Sequence, residues 1–266
     1  MQVGVFLTLF WGRSFEDALD RAAQVGCSAV EIPCGGYVDA GWCRPADLLD
    51  DRAAQTRLFG AVQQRGLAIS ALSCHGNALH PNHTIAQQHD QDFRNTVRLA
   101  AELGVGVVVT FAGCPGDSAT SERPNWVTCA WPSDYAVTLE WQWAERVAPY
   151  WHEAARFARE QGVRVAIEPH PGFVVYNTAS FRRLQQLAGP GLGVNFDPSH
   201  LFWQQMDPLA CIRELGRDIL HVHAKDVALN PRNIAVNGVL DPSAYANIQQ
   251  RSWRFRTVGD GHDVTV

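Results

Sequence analysis

Short apolar runs alternate along the chain with longer stretches in which apolar residues recur every three or four positions. The runs "VGVFL" (3–7), "AVEIP" (29–33), "LAISALS" (67–73), "VGVVVTF" (105–111), "VRVAIE" (163–168), "LGVNFD" (192–197) and "DILHVH" (218–223) are rich in β-branched residues and read as strands. "SFEDALDRAAQVG" reads as a helix, with Ser14 and Asp17 in an N-cap pattern and Gly26 as its stop. Residues 51–65, "QDFRNTVRLAAELG" and "EWQWAERVAPYWHEAARFAREQG" give further helices.

Strand, helix and strand in regular succession predict parallel pairing through right-handed crossovers. Seven units without a reversal predict an α/β fold, a (β/α)8 TIM barrel in one domain over 1–266, rather than an open doubly wound sheet. No GxGxxG turn follows the first strand, which removes the usual dinucleotide signature. Seven strands are one short of a closed barrel, so the domain is expected to be C-terminally incomplete, truncated before the eighth strand.

Two connections are long, 112–138 after the fourth strand and 227–257 after the seventh. Both leave from strand C-termini, the face where such barrels place chemistry, and long loops of this kind are commonly functional. Residues 123–135 and 227–257 are expected to cap the site and to change mobility when substrate binds. Trp126, Trp131 and Tyr135 either close over a substrate or pack the first loop down.

Alternation assigns faces. Val163, Val165 and Ile167 are expected to face helices, and Ala166 and Glu168 the barrel interior. Val194 and Phe196 are expected outward, with Gly193, Asn195 and Asp197 inward. On the seventh strand, Leu220 and Val222 are expected outward and Ile219, His221 and His223 inward. Three consecutive strands thus aim Glu168, Asp197 and His223 at one region. One inward Glu or His is readily a paired core group, but two carboxylates and an imidazole together suit a divalent metal. His221, one layer deeper, fits a core histidine or a group that supports a ligand. His200, three residues past Asp197, is placed at the rim.

The net charge of −5 and the absence of a Lys/Arg-rich run argue against nucleic acid or an anionic membrane as partner. The N-terminus lacks a basic lead and a cleavage site, and no apolar run is long enough to span a bilayer. Seven cysteines without CxxC spacing suit reduced thiols and a cytoplasmic location.

The set "AIEPHPG", "NFDPSH", "HVHAKD" and "VGDGHD" resembles the xylose isomerase-like barrels, and "AVEIPCGGY" and "SALSCHGNALHPN" resemble an uncharacterised epimerase-like branch of them. That superfamily holds sugar and sugar-phosphate isomerases and epimerases, inosose dehydratase and endonuclease IV. The resemblance implies Glu168, Asp197 and His223 as metal ligands, for Mn²⁺, Co²⁺, Mg²⁺ or Zn²⁺. It implies Glu168 and His200 as catalytic groups, with His75, Glu31, His200 and Lys225 near a sugar or cyclitol substrate. Glu31 equally suits a buried pair with a cation. The chain departs from the ketose 3-epimerases at Leu229, where they carry Arg, and its "HAKD" is nearer the inosose dehydratase form. It also lacks the strand-eight Glu that serves the family as ligand and acid/base.

The implied activity is a metal-dependent isomerase or epimerase working through a metal-stabilised ene-diolate, with homo-oligomerisation left open. Three alternatives stand beside it: an inosose dehydratase-like lyase, an endonuclease IV-like abasic-site nuclease, and a non-catalytic sugar-binding barrel. The nuclease would draw ligands from His75, Glu168, Asp197, His200, His223, Asp260 and His262. Against it, Thr110-Phe111 stands where the nuclease places a histidine.

Overall fold

The computed structural model describes residues 2–39 and 41–261; His262 lies outside them. From the N-terminus run β1 (Gly4–Phe6), α1 (Phe15–Gln24), β2 (Ala29–Gly36), α2 (Pro45–Leu48), α3 (Arg52–Gln63), β3 (Ala68–His75), α4 (His83–Leu103) and β4 (Val107–Thr110). Next come α5 (Ser133–Trp141), a π turn (Gln142–Val147), α6 (Ala148–Glu160), β5 (Arg164–Ile167), α7 (Thr178–Ala188), β6 (Leu192–Phe196), α8 (Ser199–Phe202), α9 (Pro208–Leu215) and β7 (Ile219–Val222). After these lie β8 (Asp226–Leu229), α10 (Pro231–Asn237) and β9 (Trp253–Arg256).

The caps explain most helix boundaries. Ser14 Oγ accepts the Asp17 N–H and starts α1, as its spacing predicted. α4 begins eight residues earlier than the apolar period suggested, because Asn82 accepts N–H groups from Thr84 and Ile85; it ends at Gly104, whose left-handed φ of 71° suits glycine. The helix expected over 140–162 is instead α5, the π turn and α6 in sequence. The first long connection therefore ends where α5 starts at Ser133.

β1 to β7 form one parallel sheet in sequence order, the pattern of a (β/α)8 barrel. The sheet curls until β7 faces β2, since His221 and His223 reach Glu31. Among the described residues no eighth parallel strand stands between β7 and β1. Val165, Ile167, Val194 and Phe196 pack outward against helices, whereas Ala71, Val107, Val109 and Ala166 pack in the interior. Small side chains low in the barrel leave room above them for the polar layer.

β7 departs from simple alternation. Leu220 packs inside against that interior cluster, and Ile219 packs with the outer layer, the reverse of the expectation. The cause is a register shift against β6 between Val194 and Asn195, which re-aims the strand by one residue. Gly193 makes the exchange feasible, because a Cβ there would lie 2.5 Å from Asp218 O and overlap Leu220.

The 227–257 connection is not structureless. β8 and β9 pair antiparallel, and Trp253 stacks on Trp203 at 4.8 Å and 6°. Phe202, Trp203, Val227 and Trp253 form a small separate core, and buried Arg251 sits between the rings of Tyr245 and Trp253. In the other connection, Trp126 meets Tyr176 edge-on at 5.4 Å, while Trp131 and Tyr135 are 79% and 46% exposed. Trp126 thus packs its loop down.

Candidate active site

Glu168 follows β5, and its N–H donates to Thr110 O at 2.9 Å, extending the strand pairing by one residue. This holds its side chain inward, on the same face as Ala166, with 2% of the residue exposed. Glu168 Oε2 accepts from Asn195 Nδ2 at 2.8 Å and lies 3.2 Å from both His75 Nε2 and His223 Nδ1. Oε1 lies 3.2 Å from His200 Nε2 and 4.0 Å from Lys225 Nζ.

Asp197, at the end of β6, uses Oδ1 to accept the Ser199 N–H and O–H at 3.0 and 2.7 Å. His200, in α8, is buried rather than at the rim as expected, because its ring is drawn in between Asp197 and Glu168. Asp197 Oδ2 has ionic neighbours only, Lys225 Nζ at 2.5 Å and His200 Nε2 at 3.3 Å. Across the barrel, Glu31 Oε2 lies 2.6 Å from His223 Nε2 and 2.8 Å from His221 Nε2, and Glu31 Oε1 has no hydrogen-bond partner among the described residues.

All seven candidates, Glu31, His75, Glu168, Asp197, His200, His223 and Lys225, therefore lie in one connected network. Ligand atoms converge within 4.8 Å in two groups, Glu31 with His221 and His223, and Glu168 with Asp197 and His200, so the expected set Glu168, Asp197 and His223 is divided between them. Glu168 joins the two through His223. The Lys225 side chain, 44% exposed, reaches in from the mouth to Asp197.

The electrostatics follow from burial against partners. Burial raises the carboxyl of Glu168, but hydrogen bonds from His200, His223 and His75 outweigh it and hold the group well below the usual carboxylate range. Glu31 is lowered in the same way by His223 and His221. Burial alone would depress His223, yet the charge of Glu31 and the hydrogen bond to Glu168 raise it well above an ordinary imidazole. His200 is raised by Asp197 and Glu168 over the opposing effect of burial. Lys225 is raised by Glu168 and Asp197, again against burial.

Five residues at the site carry no signal of a role in the sequence. His170, two residues past Glu168, lies 4.0 Å ring to ring from His200; burial and that neighbour push it down to about 3, so it stays neutral. Asn195 bridges Glu168 and His223. Phe6 stacks on His223 at 5.4 Å, and Phe111 stacks on Phe173 beside His75 at 4.2 Å. The period-two pattern of β1 marks Phe6 as a candidate only once its neighbours across the barrel are known.

The "HAKD" and "VGDGHD" motifs meet. Asp226 Oδ2 accepts the N–H groups of Gly259 and Gly261 at 2.9 and 3.1 Å. A Cβ on Gly261 would fall 2.6 Å from Val227 C, so the approach requires glycine. Asp226 thus anchors the segment after β9 beside the site.

The model of the xylose isomerase-like TIM barrel matches residues 19–265. The chain belongs to that family. It is 35% identical over 253 residues to the uncharacterized protein YfiH of Bacillus subtilis (strain 168), covering 94% of this chain and 80% of that one. It is 30% identical over 92 residues to inosose dehydratase of Bacillus cereus (strain AH820), which is 34% of this chain and 30% of that protein. Among solved structures it resembles 3-keto-D-glucoside 4-epimerase YcjR from E. coli, with a TM-score of 0.60 and 14% identity over 84% of this chain and 78% of that one. At that identity the likeness concerns the fold. No helix among the described residues is long and apolar enough to cross a membrane.

The donor set fits a divalent ion of the kind common in this family. Three buried carboxylates and several imidazoles offer mixed oxygen and nitrogen ligation, and buried Asp197 Oδ2 faces the cationic Lys225 Nζ and His200 Nε2, where a positive ion would also be held.

Proposed function

We propose that the protein is a divalent-metal-dependent isomerase or epimerase of a small sugar, sugar phosphate or cyclitol. The observation that carries this reading is Glu168, an ionised carboxylate buried among His75, Asn195, His200 and His223 at the mouth of the barrel. Family membership supports it.

In this reading Glu168, Asp197 and His223 would hold the ion. When bound, the ion supplies positive charge to a substrate carbonyl and the adjacent hydroxyl, lowering the cost of an ene-diolate. Glu168 takes the proton from the carbon next to the carbonyl. In an isomerisation it delivers that proton to the former carbonyl carbon while the hydroxyl proton passes to the former carbonyl oxygen, and in an epimerisation water protonates the opposite face. His200 and His75 orient substrate oxygens on either side of Glu168. Lys225, half in solvent, takes a hydroxyl or phosphate oxygen at the mouth. Phe6, Phe111 and Phe173 keep water from the reacting carbon.

The short likeness to inosose dehydratase favours a second reading, loss of a hydroxyl from the carbon beside the same enolate. Proton NMR of a panel of ketoses, aldoses and inososes in D₂O with added Mn²⁺, Co²⁺, Mg²⁺ or Zn²⁺ separates the two. Deuterium entering at the carbon next to the carbonyl with an epimer or isomer formed supports the first reading. Loss of water supports the second. No exchange on any substrate with any ion counts against both.

A further inference from the structure

We propose that Glu31 is a positioning residue that fixes which nitrogen of His223 faces a metal ion; this deepens, and rests on, the reading of Glu168, Asp197 and His223 as the metal site. His223 presents its two nitrogens to opposite sides. Nε2 lies 2.6 Å from Glu31 Oε2, and Nδ1 lies 3.2 Å from Glu168 Oε2 and 3.0 Å from Asn195 Nδ2. An ionised carboxylate can only accept, so the short contact to Glu31 requires the proton on Nε2.

The orientation of Asn195 agrees. Its Nδ2 is 2.8 Å from Glu168 Oε2, and turning the amide over would set two acceptor oxygens against each other. The amide aims its N–H groups toward Glu168 and toward Nδ1, and with the Nε2 proton held by Glu31 it is Nδ1 that can give up its proton and turn a lone pair to an ion on the Glu168 side. A ligating histidine whose other N–H donates to a carboxylate is a general device for setting tautomer and basicity.

His221 completes the arrangement. Its Nε2 donates to the same Glu31 oxygen at 2.8 Å, so two imidazoles fix one carboxylate oxygen from β7 while its backbone sits on β2. Phe6 closes the remaining side of the His223 ring by stacking on it. Glu31 Oε2 is thereby committed to His223 and His221, and its contribution to the reaction is exerted through His223.

Zinc alone is the probe. Nitrogen-15 NMR of the zinc-loaded wild-type chain should show His223 bound through Nδ1 and protonated at Nε2, a measurement that needs no variant. Titration against a competing chelator should show zinc binding to Glu31→Gln 10–100-fold weaker than wild type, the range typical for loss of such a supporting partner. Circular dichroism of the variant reports its fold. Zinc bound through Nε2 of His223, or unchanged affinity in a folded Glu31→Gln chain, overturns the proposal and leaves the metal reading standing. A second zinc per chain that disappears in His221→Ala also overturns it, by placing an ion among Glu31, His221 and His223. A wild-type chain that binds no zinc overturns the metal reading and this proposal with it.

Discussion

His223 Nδ1, beyond the end of β7, lies 3.2 Å from Glu168 Oε2, beyond the end of β5, although β6 runs between the two strands. The contact spans a strand because the sheet curls and because Asn195, on β6, is short enough to sit beneath both groups and bond each. Curvature thus turns three separate strand ends into one charged site.

Asp197→Ala should abolish tight zinc binding, with a loss exceeding the roughly 10–100-fold typical of supporting partners, since it removes a charged oxygen from the centre. Cys74→Ser and Cys114→Ser should bind as wild type. Both thiols are buried, and burial pushes the Cys114 thiol up to about 12. Chelator competition on the three variants checks this; the opposite ranking would move the ion to the cysteines.

Lys225→Met should bind the ion more tightly and turn over more slowly. Its ammonium, 2.5 Å from Asp197 Oδ2, already supplies the charge that an ion would bring. A unit charge at about 4 Å interacts by about 4 kcal/mol at an effective dielectric near 20, and partial exposure reduces this, so a gain of about tenfold in affinity is expected. Affinity and kcat measured together test the split; weaker binding would contradict it.

The metal-free protein should be most stable in mildly acidic solution. His223 and His200 are raised in the fold above their ordinary value of 6.5, so their contribution is complete below that value and is lost as pH rises through their folded values. Glu31, Glu168 and Asp197 are lowered, so theirs is complete above the ordinary values of 4.5 and 3.8 and is lost as pH falls through the folded ones. Tm should therefore fall on the alkaline side, by about 2–4 °C for each kcal/mol lost. Zinc should flatten that limb by replacing the histidine protons. A Tm of the metal-free chain that rises between pH 7 and 9 would contradict the assignment.

Gly193→Ala should destabilise the fold by about 1–3 kcal/mol, the usual cost of overpacking. The new methyl meets Leu220 and, at 2.5 Å, Asp218 O. Urea unfolding with an unchanged midpoint would mean that Leu220 does not fill that space.

Much of the fold is legible in the sequence. The strand order, Ser14 as a cap and the inward aim of Glu168, Asn195 and Asp197 follow from local period and polarity. What was not legible depends on contacts between distant residues. Leu220 turns inward because of a register shift opposite Gly193, which single-strand alternation cannot show. The β8–β9 hairpin rests on the Trp203–Trp253 stack, between residues 50 positions apart in the numbering. The pairing of Glu31 with His221 and His223 needs β2 and β7 to face each other, which only the curled sheet provides.

The central claim is that Glu168 stands in a metal site built on the ends of β5, β6 and β7. Anomalous diffraction at the zinc edge from zinc-loaded crystals tests it most directly. One strong peak is expected within bonding distance of Glu168, Asp197 Oδ2 and His223 Nδ1, with Lys225 displaced from Asp197. A peak on the cysteines, or none near Glu168 at saturating zinc, would contradict it.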